Sequence, residues 1–196
     1  MTAVVRSLAL ASVLLASAIP QARCDSAALV PISGDQEDHL RSYFDRNALP
    51  HGSSDATFQN GEMFLLHADT TESLTIAPIQ FDTVVNMSGQ HMRFDCGVFV
   101  LDGKKRAHFA RTTPATSALD CMGLDAAGAM PGEGARPRLL FLYEMDGSSS
   151  ASRSQVAVLT WNNRRQQYEP DWATSRSLTR RLPHPTIDAV RALLAR

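Results

Sequence analysis

The sequence predicts an α+β fold: an antiparallel sheet of about five to seven strands with an N-terminal and a C-terminal helix packed on it. Three observations carry this reading. Apolar residues recur at helical spacing near the beginning and at the end of the 196-residue chain, the middle is rich in β-branched and aromatic runs, and turn-forming pairs punctuate those runs.

The chain opens on a segment of another kind. Arg6 supplies an early positive charge, Leu8 to Ile19 are apolar apart from Ser12 and Ser17, and the small residues Ala16, Ala18 and Ala22 mark the exit. That order predicts a secretory signal peptide over residues 1–22 and an exported domain over 23–196, with a cut after Ala22 favoured over the competing small-x-small site at Ala16 and Ala18. The apolar run is shorter than the roughly 20 residues a membrane-spanning helix needs, and no transmembrane segment is expected. Cys24 invites a lipid anchor, but Gln21, Ala22 and Arg23 before it lack the aliphatic-then-small pattern such a signal uses, so none is expected.

The first helix is expected over Asp35–Ala48, where Leu40, Tyr43, Phe44 and Ala48 share a face, Ser33 or Asp35 caps the start and Pro50 follows the end. Residues 51–60 read as a polar loop, and Glu62–Ala68 as the first strand. Ser73–Phe81 follows as a strand, with Pro78 pointing to an edge or a bulge. Met92–Leu101 and Arg106–Arg111 flank Asp102-Gly103, a hairpin signal.

Pro114–Gly134, rich in alanine, glycine and proline, reads as a long connection with a short helix near Ser117–Met122. Leu139–Met145 and Val156–Trp161 read as strands, Asn162-Asn163 as a tight turn and Arg165–Tyr168 as the returning strand. Asp171 is placed to cap a helix through Leu178, and a last helix starts at Thr186 with Ile187, Val190, Leu193 and Leu194 on one face.

Composition narrows the function. Of three cysteines, Cys96 and Cys121 are expected to form a disulfide, leaving Cys24 as the odd thiol. Net charge is −1, but it is unevenly spread: eleven acidic residues stand against Arg41, Arg46 and Arg93 from Cys24 to Phe99, and eight arginines against Glu169, Asp171 and Asp188 from Arg153 onward. The basic part lacks the density and aromatic interleaving of a nucleic-acid site. The acidic part, with Asp35, Glu37, Asp38 and Asp45, is the expected surface for a basic protein partner.

Catalytic kits are scarce. The histidines are scattered, with no pair at helical spacing and no Cys-x-x-Cys, so neither a metal nor a cofactor is expected. His67 with Asp69 is the closest local group, and Ser88 with His91 has no orienting acid. Cys96 and His108 would meet across the hairpin if the thiol were free, and Glu62, Glu72, Asp82 and Asp95 could converge only through the fold. Asn86-Met87-Ser88 is a glycosylation triplet. Trp161, Tyr168 and Trp172 gather near Arg164 and Arg165, a composition that core packing and binding hot spots share.

The expectation is therefore an exported, non-catalytic protein-binding domain, an inhibitor or immunity protein that neutralises an envelope-acting enzyme or toxin. The alternatives are a small envelope hydrolase built on Cys96, His108, His67 and Asp69, and an accessory component of a secretion apparatus.

Overall fold

The computed structural model describes residues 26–32, 34–44, 53–58, 62–68, 73–84, 92–103, 106–132, 136–147 and 153–196. The expected signal peptide, Cys24, Asp45, Asp69, Glu72, His91 and the glycosylation triplet lie outside them. The described chain runs β1 (Ala27–Pro31), α1 (Asp35–Phe44), β2 (Ser53–Phe58), β3 (Phe64–Ala68), β4 (Leu74–Val84), β5 (Met92–Leu101) and β6 (Ala107–Arg111). It continues with β7 (Asp120–Met130), β8 (Arg138–Asp146), β9 (Arg153–Asn162), β10 (Gln167–Pro170), α2 (Trp172–Arg181) and α3 (Ile187–Leu194).

The α+β class holds, with two antiparallel sheets where one was expected. A six-stranded sheet has the order β1-β3-β4-β5-β6, with β2 beside the second half of β4, and a four-stranded sheet has the order β10-β9-β8-β7. Their facing sides share one core, to which β5 gives Cys96, Val98 and Val100 and β8 gives Leu139, Phe141, Tyr143 and Met145. Alternate residues turn outward. Phe99 and Leu101 pack under α1 with Phe44, Ile79 and Phe81, while Leu140 and Leu142 pack under α2 and α3 with Val156, Val158, Leu178 and Val190. The layers thus run helix, sheet, sheet, helices. Both faces of the central strands are covered, which is why Val98–Leu101 of β5 and Leu139–Tyr143 of β8 read as unbroken apolar runs.

Three segments depart from expectation. Residues 53–58, expected as loop, form β2 by pairing with Ile79–Thr83. Ala27–Pro31, given no element, pairs with β3 as an edge strand. The short helix expected near Ser117–Met122 is absent, and the eleven-residue β7 occupies much of that connection. Its small residues have weak strand preference, but pairing with β8 imposes the strand, with register shifts between Cys121 and Gly123 and between Leu124 and Ala126. One of them has a packing reason: a Cβ on Gly128 would lie 2.7 Å from Ile187 Cγ2, so glycine lets α3 approach.

Pro78 sits neither at an outer edge nor at a bulge. It pairs with Val98 on one side, and on the other it stands where the neighbour of β4 changes from β3 to β2, a place where a missing N–H costs little.

Helix ends follow from local chemistry. Asp171 accepts from Thr174 N at 3.0 Å and Thr186 from Ala189 N at 3.2 Å, as expected of caps. At α1 the carbonyl of Gly34 accepts from Glu37 N at 2.9 Å, with φ of 60° that favours glycine. In the last hairpin the left-handed residue is Gln166, φ 55°, and Asn162 instead accepts from Arg164 N and Arg165 N through Oδ1.

Candidate functional site

The cysteines meet as expected. Cys96 on β5 and Cys121 on β7 form a disulfide with Cα atoms 5.8 Å apart, both buried, and the bond ties one sheet to the other. Gln80 strengthens this junction by donating through Nε2 to Cys121 O. The thiol version of the hydrolase reading loses its nucleophile here. It also loses its geometry, because His108 stands opposite Val100, while the Cys96 carbonyl accepts from Thr112 N and Thr113 N.

The carboxylates do not converge either. Asp95, fully buried on the outer face of its sheet, accepts from Arg93 Nε and Nη2 at 3.0 Å each and from Arg111 Nη2. Asp82 is one residue from outward-facing Phe81, and so points to the opposite face. Glu62, before β3, is raised from 4.5 to about 7 by burial and then by the Glu37 carboxylate. Burial also pushes the Tyr143 phenol up. Among the described residues no three His, Cys, Asp or Glu side chains are grouped to hold a metal, and no helix is long and apolar enough to cross a membrane.

The acidic face on α1 is smaller than expected. Asp35 and Asp38 are exposed, but Glu37 is 7% exposed and its carboxylate is bound by Arg41 Nη2 at 2.9 Å. Arg41 also donates to Phe58 O at 3.3 Å and covers the Phe58 ring. Arg41, held by Glu37, therefore ties α1 to β2, and the Glu37 carboxylate is mostly turned away from solvent.

A concave surface lies elsewhere, where the two sheets meet along β6 and β10. A cleft of about 470 Å³ is walled by Phe109 and Arg111 of β6 on one side and by Gln167, Glu169 and Pro170 of β10 on the other, with Arg165 at its rim. Trp172, the first residue of α2, closes one end and is shared with an adjoining apolar notch of about 140 Å³ that runs along Pro114, Thr179, Arg176 and Arg180. The indole is half-buried, and its N–H has no acceptor among the described residues.

Local rules build both walls. Arg111 is held from behind by Asp95 and from below by the Phe81 ring, 5.7 Å away. Arg93, the other guanidinium on Asp95, uses Nη1 to pin the carbonyls of Ala115 and Ser117, fixing the chain that leads into the notch. Opposite, Trp161 meets Tyr168 edge-on at 5.3 Å, Arg136 lies over Trp161 at 4.9 Å, and Tyr168 donates to Pro137 O at 3.0 Å. Two of the three aromatic residues expected near the last hairpin thus serve the fold, and Trp172 faces the cleft.

Where β10 ends, α2 closes the open edge of β9. Val158 N donates to Ser175 Oγ and Val156 N to Thr179 Oγ, each at 3.0 Å, and Asp171 N donates to Val158 O at 2.8 Å. This holds Trp172, Arg176 and Arg180 in fixed relation to the seam. Arg176 donates to Trp172 O at 3.2 Å, whereas Arg180 is exposed and makes no hydrogen bond or ion pair among the described residues.

Arg93, Arg111, Arg176 and Arg180 are not among the site residues expected from sequence. Two signals could have found them: Arg93 and Asp95 are two apart and share a strand face, and Arg176 and Arg180 are four apart and share a helix face. Comparison with protein-family models, curated proteins and solved structures finds no match, so the site stands on its own geometry.

Proposed function

We propose that this chain is an exported, non-catalytic protein-binding domain, an inhibitor or immunity protein for an envelope-acting enzyme or toxin, and that its partner docks at the seam cleft around Trp172. The observation that carries the reading is the cleft itself. It joins an available tryptophan to several arginines on a disulfide-tied, two-sheet frame, and Trp and Arg are the residues that dominate binding energy at protein interfaces. Rigid strands on both walls keep the ordering cost of association low.

A second reading keeps the expected acidic surface, whose exposed members among the described residues are Asp35 and Asp38. Its support is position: α1 and α2 cover opposite outer faces of the sandwich, so the acidic and basic parts of the chain become separate poles.

Purification of the tagged protein with its native partner separates the two. Trp172→Ala or Arg180→Glu should weaken a stoichiometric complex at least tenfold, and Asp35→Lys with Asp38→Lys should leave it intact. Retention by both cleft variants, with loss on charge reversal in α1, would move the interface to the acidic pole.

A further inference from the structure

We infer that the notch beside Trp172 takes the C-terminal residue of the partner, its apolar side chain inside and its free carboxylate on Arg176 and Arg180. The inference rests on the binding reading above and names what the partner presents.

Size and lining come first. The notch, about 140 Å³, has buried Val156 at its base, Pro114 and Trp172 as walls, and exposed Arg176 and Arg180 at its rim. Sites that enclose a whole small molecule measure roughly 300–1,000 Å³, so this space suits one large side chain anchored from a bigger partner. The hydroxyls in its lining are already bonded within the fold. Ser175 Oγ donates to Asp171 O at 2.6 Å and accepts from Val158 N, and Thr179 Oγ1 donates to Ser175 O at 2.9 Å and accepts from Val156 N. Gln155 likewise donates to Thr112 O at 3.0 Å. Apolar surface is what remains for a ligand inside. The walls are preset as well, because Arg93 holds the Ala115 carbonyl at 3.1 Å next to Pro114, and α2 is fastened to β9.

Charge at the rim completes the match. α2 contains no acidic residue, and Arg176 and Arg180 have no carboxylate partner among the described residues. Arg176 gives its Nε to Trp172 O at 3.2 Å, and its two Nη nitrogens have no acceptor among the described residues. The acids that precede α2 are engaged elsewhere, Asp171 with Thr174 N and Glu169 with Asn162, Arg165 and Gln167. Both guanidinium groups border the same small notch that receives the side chain, so the apolar group and the anion must arrive together. In an extended chain the residue beside an apolar one points to the opposite face, and an acid two positions along lies about 7 Å away. A C-terminal residue carries both groups on one Cα, and guanidinium groups bind its carboxylate through paired, charge-assisted hydrogen bonds.

Heteronuclear NMR of the whole chain, following the Trp172 indole N–H assigned by its loss in Trp172→Phe, tests this. The probes are acetyl-Ser-Gly-Ser-Gly-Phe with a free carboxylate, its C-terminal amide, the free acid ending in Ser, an amidated peptide ending in Phe-Gly-Asp, and phenylpropionate. The Phe free acid should shift the indole resonance saturably. The amide, the Ser-ending peptide and the Phe-Gly-Asp peptide should each bind at least tenfold more weakly. Arg176→Gln with Arg180→Gln should weaken the Phe free acid by the same factor, and Arg164→Gln should leave it unchanged. No saturable shift, or equal binding of the amide or of the Phe-Gly-Asp peptide, would overturn the inference, and so would phenylpropionate binding more tightly than every peptide, which would assign the notch to a free acid. A native partner that depends on Trp172 yet keeps its affinity after its last residue is removed would overturn it while leaving the binding reading in place.

Discussion

Removing the inter-sheet bridge with Cys96→Ala and Cys121→Ala tests the frame on which the cleft depends. The two residues are 25 apart in sequence, and the loop-closure relation gives about 3.5 kcal/mol of lost stability for that length at 25 °C. Both sulfurs are buried in the shared core, so the space they leave adds up to about 1 kcal/mol. Urea unfolding followed by far-ultraviolet circular dichroism reads the change. With a slope of about 2 kcal/mol per molar, the midpoint should fall by about 2 M, and the slope should rise because the freed unfolded chain exposes more surface. A fall below about 0.5 M, with the bond verified in the parent protein by thiol counting, would refute the reasoning.

Asp95→Asn removes the carboxylate that holds two guanidinium groups, one of them on a 5%-exposed arginine, and should cost about 3 to 5 kcal/mol in the same assay. Ser175→Ala with Thr179→Ala strips the acceptors from Val156 N and Val158 N and should cost about 2 kcal/mol, with faster amide exchange at those two residues. Glu62 holds its proton more tightly folded than unfolded, so its contribution to stability is full below about pH 4.5 and is lost as pH rises through about 7. Glu62→Gln should therefore flatten the stability profile across that interval and stabilise the protein near pH 8 by about 1 kcal/mol after allowance for solvent screening, with little effect near pH 4.

Much of this architecture is legible in the sequence where the local signal and the tertiary environment agree. Asp102-Gly103 marks its hairpin, Asp171 and Thr186 cap their helices, and the apolar runs of β8 and β9 announce buried strands. Legibility fails where pairing overrides propensity. The glycines and alanines of β7 and the polar residues of β2 become strands because β8 and β4 offer them hydrogen-bonding edges, which no local pattern records. Division into two sheets is hidden for a related reason, since every strand pair is antiparallel and nothing local says which edges stay open. At the candidate site the cluster around the last hairpin is readable, but the role of each residue is not. Trp161 and Tyr168 turn out to support the wall, and the arginines come together from β6 and α2, more than sixty positions apart.

The central claim is that the partner docks at the seam and not on α1. A photo-crosslinking amino acid placed at position 167 on the cleft wall in one variant and at position 38 in another, each expressed as the full chain in its host and irradiated there, tests it directly. One discrete adduct is expected from position 167, abolished by Arg180→Glu in the same chain, and none from position 38. An adduct from position 38 alone, or from neither position while a stoichiometric complex still purifies, would contradict it.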